Sequence, residues 1–256
     1  MLEQDRIQEL NNPIAISIFL FLLGLVTGFI GTNTGGSAFL TVPVMIWLGI
    51  SPLSSIASAR VASVGTMLAG LREFHRQGKI DYKLAAPAAF FGLLGSILGA
   101  SLLLKIDSSI LHKVIGAITL LMIVLSLIKR PLPSGDSISR KRKIFGYFSF
   151  VGIGALGGFF GGQAKLATYV FILVFNKTVS ESVGTRKISG LFISLASLVV
   201  YGVGNIINWH FGLSLVVGTL IGSTLGARYA LKKGDAWMER LLNGVVVVLA
   251  LRMIFF

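Results

Sequence analysis

Hydrophobic positions gather into ten stretches, at residues 13–31, 36–49, 53–72, 83–104, 110–129, 144–160, 163–176, 180–204, 211–231 and 238–256. Polar residues, glycine or proline close each one. Several come near the ~20 apolar residues that cross a hydrocarbon core, among them Leu84 to Leu104 and Leu111 to Ile128, and these predict membrane-spanning helices. The stretches 36–49 and 163–176 hold about 14 residues each, too few to span comfortably at ~1.5 Å per residue. They predict short helices that enter part-way, each after a glycine-rich break at the end of a longer helix. Non-helical backbone at that depth is tolerated only against protein or a water-filled cavity.

Five stretches precede the one long polar segment, Lys129 to Lys143, and five follow it. The segment carries two prolines and six basic residues and reads as a linker. The expected organisation is a first transmembrane repeat at 1–130, a basic cytoplasmic linker at 131–143 and a second repeat at 144–256. A shift of 126 residues places Gly28 on Gly154, Gly31 on Gly157, Gly35 and Gly36 on Gly161 and Gly162, Ala38 on Ala164, Ser54 on Ser180, Arg60 on Arg186 and Ser63 on Ser189. A shift of 127 then aligns Gly95–Ala100 with Gly222–Ala227. Self-similarity of this kind marks a duplicated membrane unit.

Composition agrees: 54% of the 256 residues are hydrophobic and 13% charged, against about 25% charged in soluble domains. The net charge of +13 gathers in short segments between apolar runs, where basic residues set topology, so nucleic acid is not an expected partner. Arg72 to Lys83 is basic, whereas its counterpart Gly204 to His210 has no Lys or Arg. Placing Arg72–Lys83, Lys129–Lys143 and Lys232–Arg240 inside leaves loop 204–210 and both termini outside, with only Lys105 and Lys113 against the pattern. Each half then crosses an odd number of times. The predicted fold is an all-α integral membrane protein of two inverted-topology repeats, each of four to five helical segments with a Gly-broken hairpin near the midplane. The acidic start Met1-Leu-Glu-Gln-Asp-Arg lacks a basic n-region and a cleavage site, so the first helix is expected to be retained.

The breaks read Gly31-Thr-Asn-Thr-Gly-Gly-Ser37 and Gly157-Gly-Phe-Phe-Gly-Gly-Gln163. A short helix starting after each aims free N–H groups and a positive dipole end into the gap, which suits an anion. Candidate substrate-binding residues are Thr32, Asn33, Thr34, Gly35, Gly36 and Ser37 at the first break, and Gly161, Gly162, Gln163 and Lys165 at the second. Arg60 and Arg186, about two turns into the third stretch of each half, join them, because a cation in an apolar region costs at least a few kcal/mol and is retained for a role. Gly24, Gly28, Gly92, Gly95 and Gly99 read as helix-packing glycines. All ten acids fall at stretch ends or in loops, which disfavours coupling through a mid-membrane carboxylate. The absence of cysteine removes thiol chemistry, and His75, His112 and His210 fall in predicted loops. No metal, cofactor or catalytic residue is expected, and the chain does not read as an enzyme.

The segments Gly28-Phe-Ile-Gly-Thr-Asn-Thr-Gly-Gly-Ser-Ala-Phe-Leu-Thr-Val-Pro43, Gly78-Lys-Ile-Asp81 and Gly157–Gln163 resemble the sulfite exporter TauE/SafE family of bacterial and archaeal membrane proteins, the YfcA-like permeases. The likeness covers nearly the whole chain. It departs at Thr32, Asn33 and Thr34, and at Tyr169 where Pro43 would recur. The resemblance implies an inner-membrane protein that exports, or takes up, small anions such as sulfite or sulfonates. An anion channel with the same lining and a non-transporting scaffold are the other readings, and a homo-oligomer is compatible with the sequence.

Overall fold

The computed structural model describes residues 13–35, 37–107, 110–111, 113–118, 138–234 and 237. Gly36, His112, both termini, most of the linker and the stretch 238–256 lie outside the described residues. Within them the regular elements are helices: α1 (Pro13–Thr34), α2 (Ser37–Trp47), α3 (Pro52–Arg76), α4 (Tyr82–Leu103), α5 (Arg140–Phe159), α6 (Ala164–Leu173), α7 (Val179–Val203) and α8 (Trp209–Lys233). Residues 110, 111 and 113–118 are also helical. α1, α4, α7 and α8 are long and apolar enough to cross a membrane, while α2 and α6 are the two short apolar helices expected.

Local chemistry sets the ends. Pro13 is the first described residue of α1. The helix stops at Gly35, whose φ of 78° breaks it while its N–H still reaches Gly31 O at 2.8 Å. α5 also stops ahead of a left-handed glycine, Gly161 at φ 106°, whose N–H reaches five residues back to Leu156 O. Asp81 and Asn208, at corresponding positions, cap α4 and α8 through the N–H groups of Leu84 and Phe211. Thr178 and Glu181 form a capping box on α7. Two histidines depart from expectation: His75 lies in the last turn of α3 and His210 in the first turn of α8, not in loops. Asn208 starts α8 two residues ahead of His210, and the basic last turn of α3 suits a helix carboxyl end.

The pattern of helix contacts survives exchange of the halves. α1 on α8 answers α5 on α4, α3 on α8 answers α7 on α4, hairpin α1–α2 answers α5–α6, and α3 meets α7 itself. The order of contacts gives direction. Phe21, Leu25 and Phe29 of α1 meet Gly218, Gly222 and Gly226 of α8 in rising order, so the two run parallel. α3 also runs with α8, from Val61 at Gly212 to Glu73 at Arg228. Against α7 the order reverses, Met67 with Gly190, Gly70 with Lys187 and Phe74 with Gly184. α4 runs with α5, where Gly92 and Ser96 meet Gly154 and Gly158, and with α7, where Leu104 meets Gly204. α1, α3 and α8 therefore point one way, and α4, α5 and α7 the other.

The glycines Gly24, Gly28, Gly95 and Gly99 lie where a side chain would strike backbone, while a Cβ on Gly92 would meet the end of the Ile193 side chain. A Cβ on Gly95 would strike Val151 O, one on Gly99 would strike Ala155 O, and one on Gly24 would lie 2.5 Å from Leu215 O. Backbone-to-backbone approach thus joins each half to the other, as small residues permit between helices in lipid.

Candidate functional site

The two breaks face each other inside the bundle, and every described residue of both is buried except the half-buried Ser37. Gly35 abuts the start of α6: a Cβ there would lie 2.5 Å from Ala164 Cβ and 3.2 Å from the Lys165 amide nitrogen. Gly161 reciprocates against α2, its Cβ position 3.0 Å from Ala38 Cβ and 3.4 Å from Arg60 Nη2. Gly162, at φ 72°, lies under the Phe39 ring, where no side chain fits. The α2 and α6 amino ends pass side by side, and each hairpin doubles back on its own long helix, Ser37 on Gly31 and Gln163 on Gly157.

Four cations are buried here, Arg60, Lys165, Arg186 and Lys187. The one buried acid among the described residues, Glu73, is at the far end of α3 with Arg228 at 3.0 Å. The cations form two levels. Gly70, where the Lys187 side chain crosses α3, is ten residues beyond Arg60, ~15 Å along the helix.

At the first break the cations are engaged with the carboxyl end of α1. Arg186 Nη2 donates to Thr32 O and Asn33 O, both at 3.2 Å, and Lys187 Nζ to Thr32 O at 2.6 Å and Thr32 Oγ1 at 2.8 Å. These are the carbonyls that a helix end leaves without partners, and cations there also meet the negative end of its dipole. The polar side chains turn inward as well. Asn33 Nδ2 donates to Gly226 O at 2.9 Å and Thr34 Oγ1 to Ile30 O at 3.0 Å.

The second break ends its helix one residue earlier than the first and has a different partner. Gly158 and Phe159 stand where Thr32 and Asn33 stand in the first half. Their carbonyls accept from the hydroxyl of Tyr201, which is fully buried on α7. Arg60 lies against that hydroxyl, 3% exposed, and its Nη2 has no hydrogen-bond partner among the described residues. Lys165, 6% exposed, sets its ammonium 5.4 Å from the centre of the Tyr169 ring. Gln163 precedes α6 without a side-chain bond to its first turn.

Lys187 and Tyr201 are absent from the sequence expectations. The charge-in-apolar-segment rule that selected Arg186 applies equally to its neighbour Lys187. No sequence signal marks Tyr201, which matters only because α7 brings it beside the end of α5.

Matching hollows open at the two ends of the bundle. One, of about 550 Å³, is lined by Ser51, Leu53, Ser54 and residues 205–209. The other, of about 360 Å³, is lined by Gly78, residues 80–83, Lys177 and Glu181. Residues 205–209 correspond to 78–82, and Lys177 to Ser51. The second hollow is crossed by an ion pair, Lys177 Nζ to Asp81 Oδ2 at 2.7 Å. At the corresponding positions of the first stand the uncharged Asn208 and Ser51.

A family model described as "Sulfite exporter TauE/SafE" matches residues 20–253. A protein of Escherichia coli (strain K12) named "Probable membrane transporter protein YfcA" is 23% identical over 252 residues, covering 95% of this chain and 91% of its own. A Haemophilus influenzae protein, also named a membrane transporter, is 25% identical over 238 residues, 91% of each chain. YdhB of Bacillus subtilis (strain 168), named likewise, is 26% identical over 219 residues, 84% of this chain and 89% of its own. No solved structure matches the chain.

Proposed function

The chain belongs to the sulfite exporter TauE/SafE family of membrane transporters, and on that footing we propose that it carries a small anion, sulfite or a related sulfonate, by alternating access between two inverted halves. The observation that carries the reading is the buried positive charge at the facing breaks, where Arg60, Lys165, Arg186 and Lys187 are withdrawn from water. Desolvating four cations in a membrane protein is costly, and an anion passing between them offsets the cost. The amino ends of α2 and α6 add partial positive charge at the same place.

Opposite helix directions in the two halves support the inverted arrangement. A rocking motion about the α3–α7 contact exchanges access between the hollow at Asn205–Trp209 and the hollow at Gly78–Lys83. We place the basic end, with Arg72, Lys79, Lys83 and Lys177, in the cytoplasm of an inner membrane, and loop 204–208 outside. The linker 129–143 is then cytoplasmic and both termini are outside. In this reading the chain is a transporter and not an enzyme.

Radiolabelled sulfite flux into proteoliposomes, competed by sulfoacetate, thiosulfate and sulfate, tests the proposal. Saturable flux that a sulfonate competes is the expected result. Unitary currents in a planar bilayer would make the protein a channel, and no flux of any of these anions would make it a scaffold.

A further inference from the structure

The two halves treat their arginines differently. Arg186 and Arg60 occupy corresponding positions, and each lies beside the carboxyl end of the long helix of the other half's hairpin. In the first half that end is held by Arg186 together with Lys187. In the second the Tyr201 hydroxyl takes the Gly158 and Phe159 carbonyls instead. Arg60 does not make the carbonyl bonds its counterpart makes: the buried side chain lies in hydrogen-bond contact with the Tyr201 hydroxyl, and its Nη2, beside Gly161, has no hydrogen-bond partner among the described residues.

A buried guanidinium N–H without an acceptor costs more than a neutral polar group left in the same way. Its surroundings fit an oxyanion. A Cβ on Gly161 would lie 3.4 Å from Nη2, so the missing side chain leaves backbone facing the guanidinium, and α6 begins three residues on, with no side-chain cap on its first turn. Guanidinium N–H groups and helix amino-terminal amides are both anion donors.

We propose that Arg60 is the anchor for the transported oxyanion, at a station formed with Gly161 and the amino end of α6, and that Tyr201 keeps Arg60 available by occupying the α5 carbonyls. Arg186 and Lys187 are positioning residues that hold the end of α1. The proposal rests on the anion-transport reading and deepens it. It makes the two arginines unequal in function although equal in sequence.

Kinetics on sulfite flux in proteoliposomes separate the roles. Arg60→Gln is expected to raise KM about tenfold or more, the loss of one charge-assisted bond, and Arg60→Lys to raise it less. Tyr201→Phe keeps the charge but releases the Gly158 carbonyl for Arg60 to bind, so KM rises with Arg60 intact. Arg186→Gln is expected to lower the unfolding temperature and the maximal rate while KM moves less than about threefold. A thermal-shift arm covers variants that fail to reconstitute: sulfite raises the unfolding temperature of the wild type and not of Arg60→Gln. Sulfite protection persisting in Arg60→Gln, or KM rising equally in Arg186→Gln, overturns the assignment while leaving transport standing. Absence of flux in the wild type overturns both.

Discussion

Lys187 shows how a buried charge is held in place. Its side chain crosses α3 at Gly70, where a Cβ would lie 2.6 Å from Cε, and ends on Thr32. Removing the ammonium with Lys187→Met strips the last turn of α1 of two charge-assisted bonds. A loss of about 1.5–3 kcal/mol in unfolding free energy is expected, read from denaturant unfolding in detergent. Gly161→Ala should cost a similar amount for a different reason. It places a side chain at φ 106° and brings a Cβ to 3.0 Å from Ala38. Strain of about 1–3 kcal/mol follows, with a fall in sulfite affinity that Lys187→Met does not share. Gly152→Ala controls for both, because no described residue lies within 4 Å of its Cβ position.

Between elements, stability rests on glycine rows that let parallel helices of opposite halves touch through their backbones. Gly218, Gly222 and Gly226 recur every fourth residue and face the carbonyls of Phe21, Leu25 and Phe29. Gly222→Val therefore drives α1 and α8 apart. A loss of about 1–3 kcal/mol is expected, whereas Gly152→Ala, on an open face of α5, is expected to gain up to about 1 kcal/mol. Thermal unfolding of the two variants side by side checks the pair. The packing role of Gly24, Gly28, Gly92, Gly95 and Gly99 was legible in the sequence, because repeated small residues in apolar segments have few other uses. So were the short helices and the breaks, since 14 apolar residues do not span and doubled glycines do not continue a helix. The use of the polar residues in the first break was not legible. Thr32, Asn33 and Thr34 look like ligand donors in one dimension, yet Thr32 and Asn33 bind Lys187 and Gly226 once α7 and α8 close around them, and Thr34 bonds back to Ile30 within α1. A shift of 126 aligns Arg60 with Arg186 but carries no information on Tyr201, whose effect on Arg60 arises from packing alone.

For the whole molecule, the proposed alternating access requires that the two ends differ in what holds them closed. Asp81, ahead of α4 in the first half, pairs with Lys177, ahead of α7 in the second, so their bridge ties the halves together at the basic end. No such pair forms between Asn208 and Ser51 at the other. Burial pushes the Asp81 carboxyl up, but the Lys177 ammonium and the N–H groups of Leu84 and Lys83 outweigh it and hold the pKa below the usual aspartate range. A carboxyl depressed on folding contributes stability that is present above its unfolded pKa, about 3.9, and is lost as pH falls through the lower folded value. The difference in unfolding temperature between wild type and Asp81→Asn should therefore be constant from about pH 7 to pH 5 and vanish only below about pH 4. Because both partners are partly exposed, with side chains 25% and 27% accessible, the difference should be modest and shrink in high salt. The same substitution should raise labelling of a cysteine placed at Gly78 by a membrane-impermeant reagent applied from the basic side, which the proposal assigns to the cytoplasm. A cysteine at Asn205 should become less reactive from the opposite side, since opening one end of a rocking pair closes the other. Equal labelling at both ends in wild type and variant would disconnect the ion pair from access and leave it a local surface bridge.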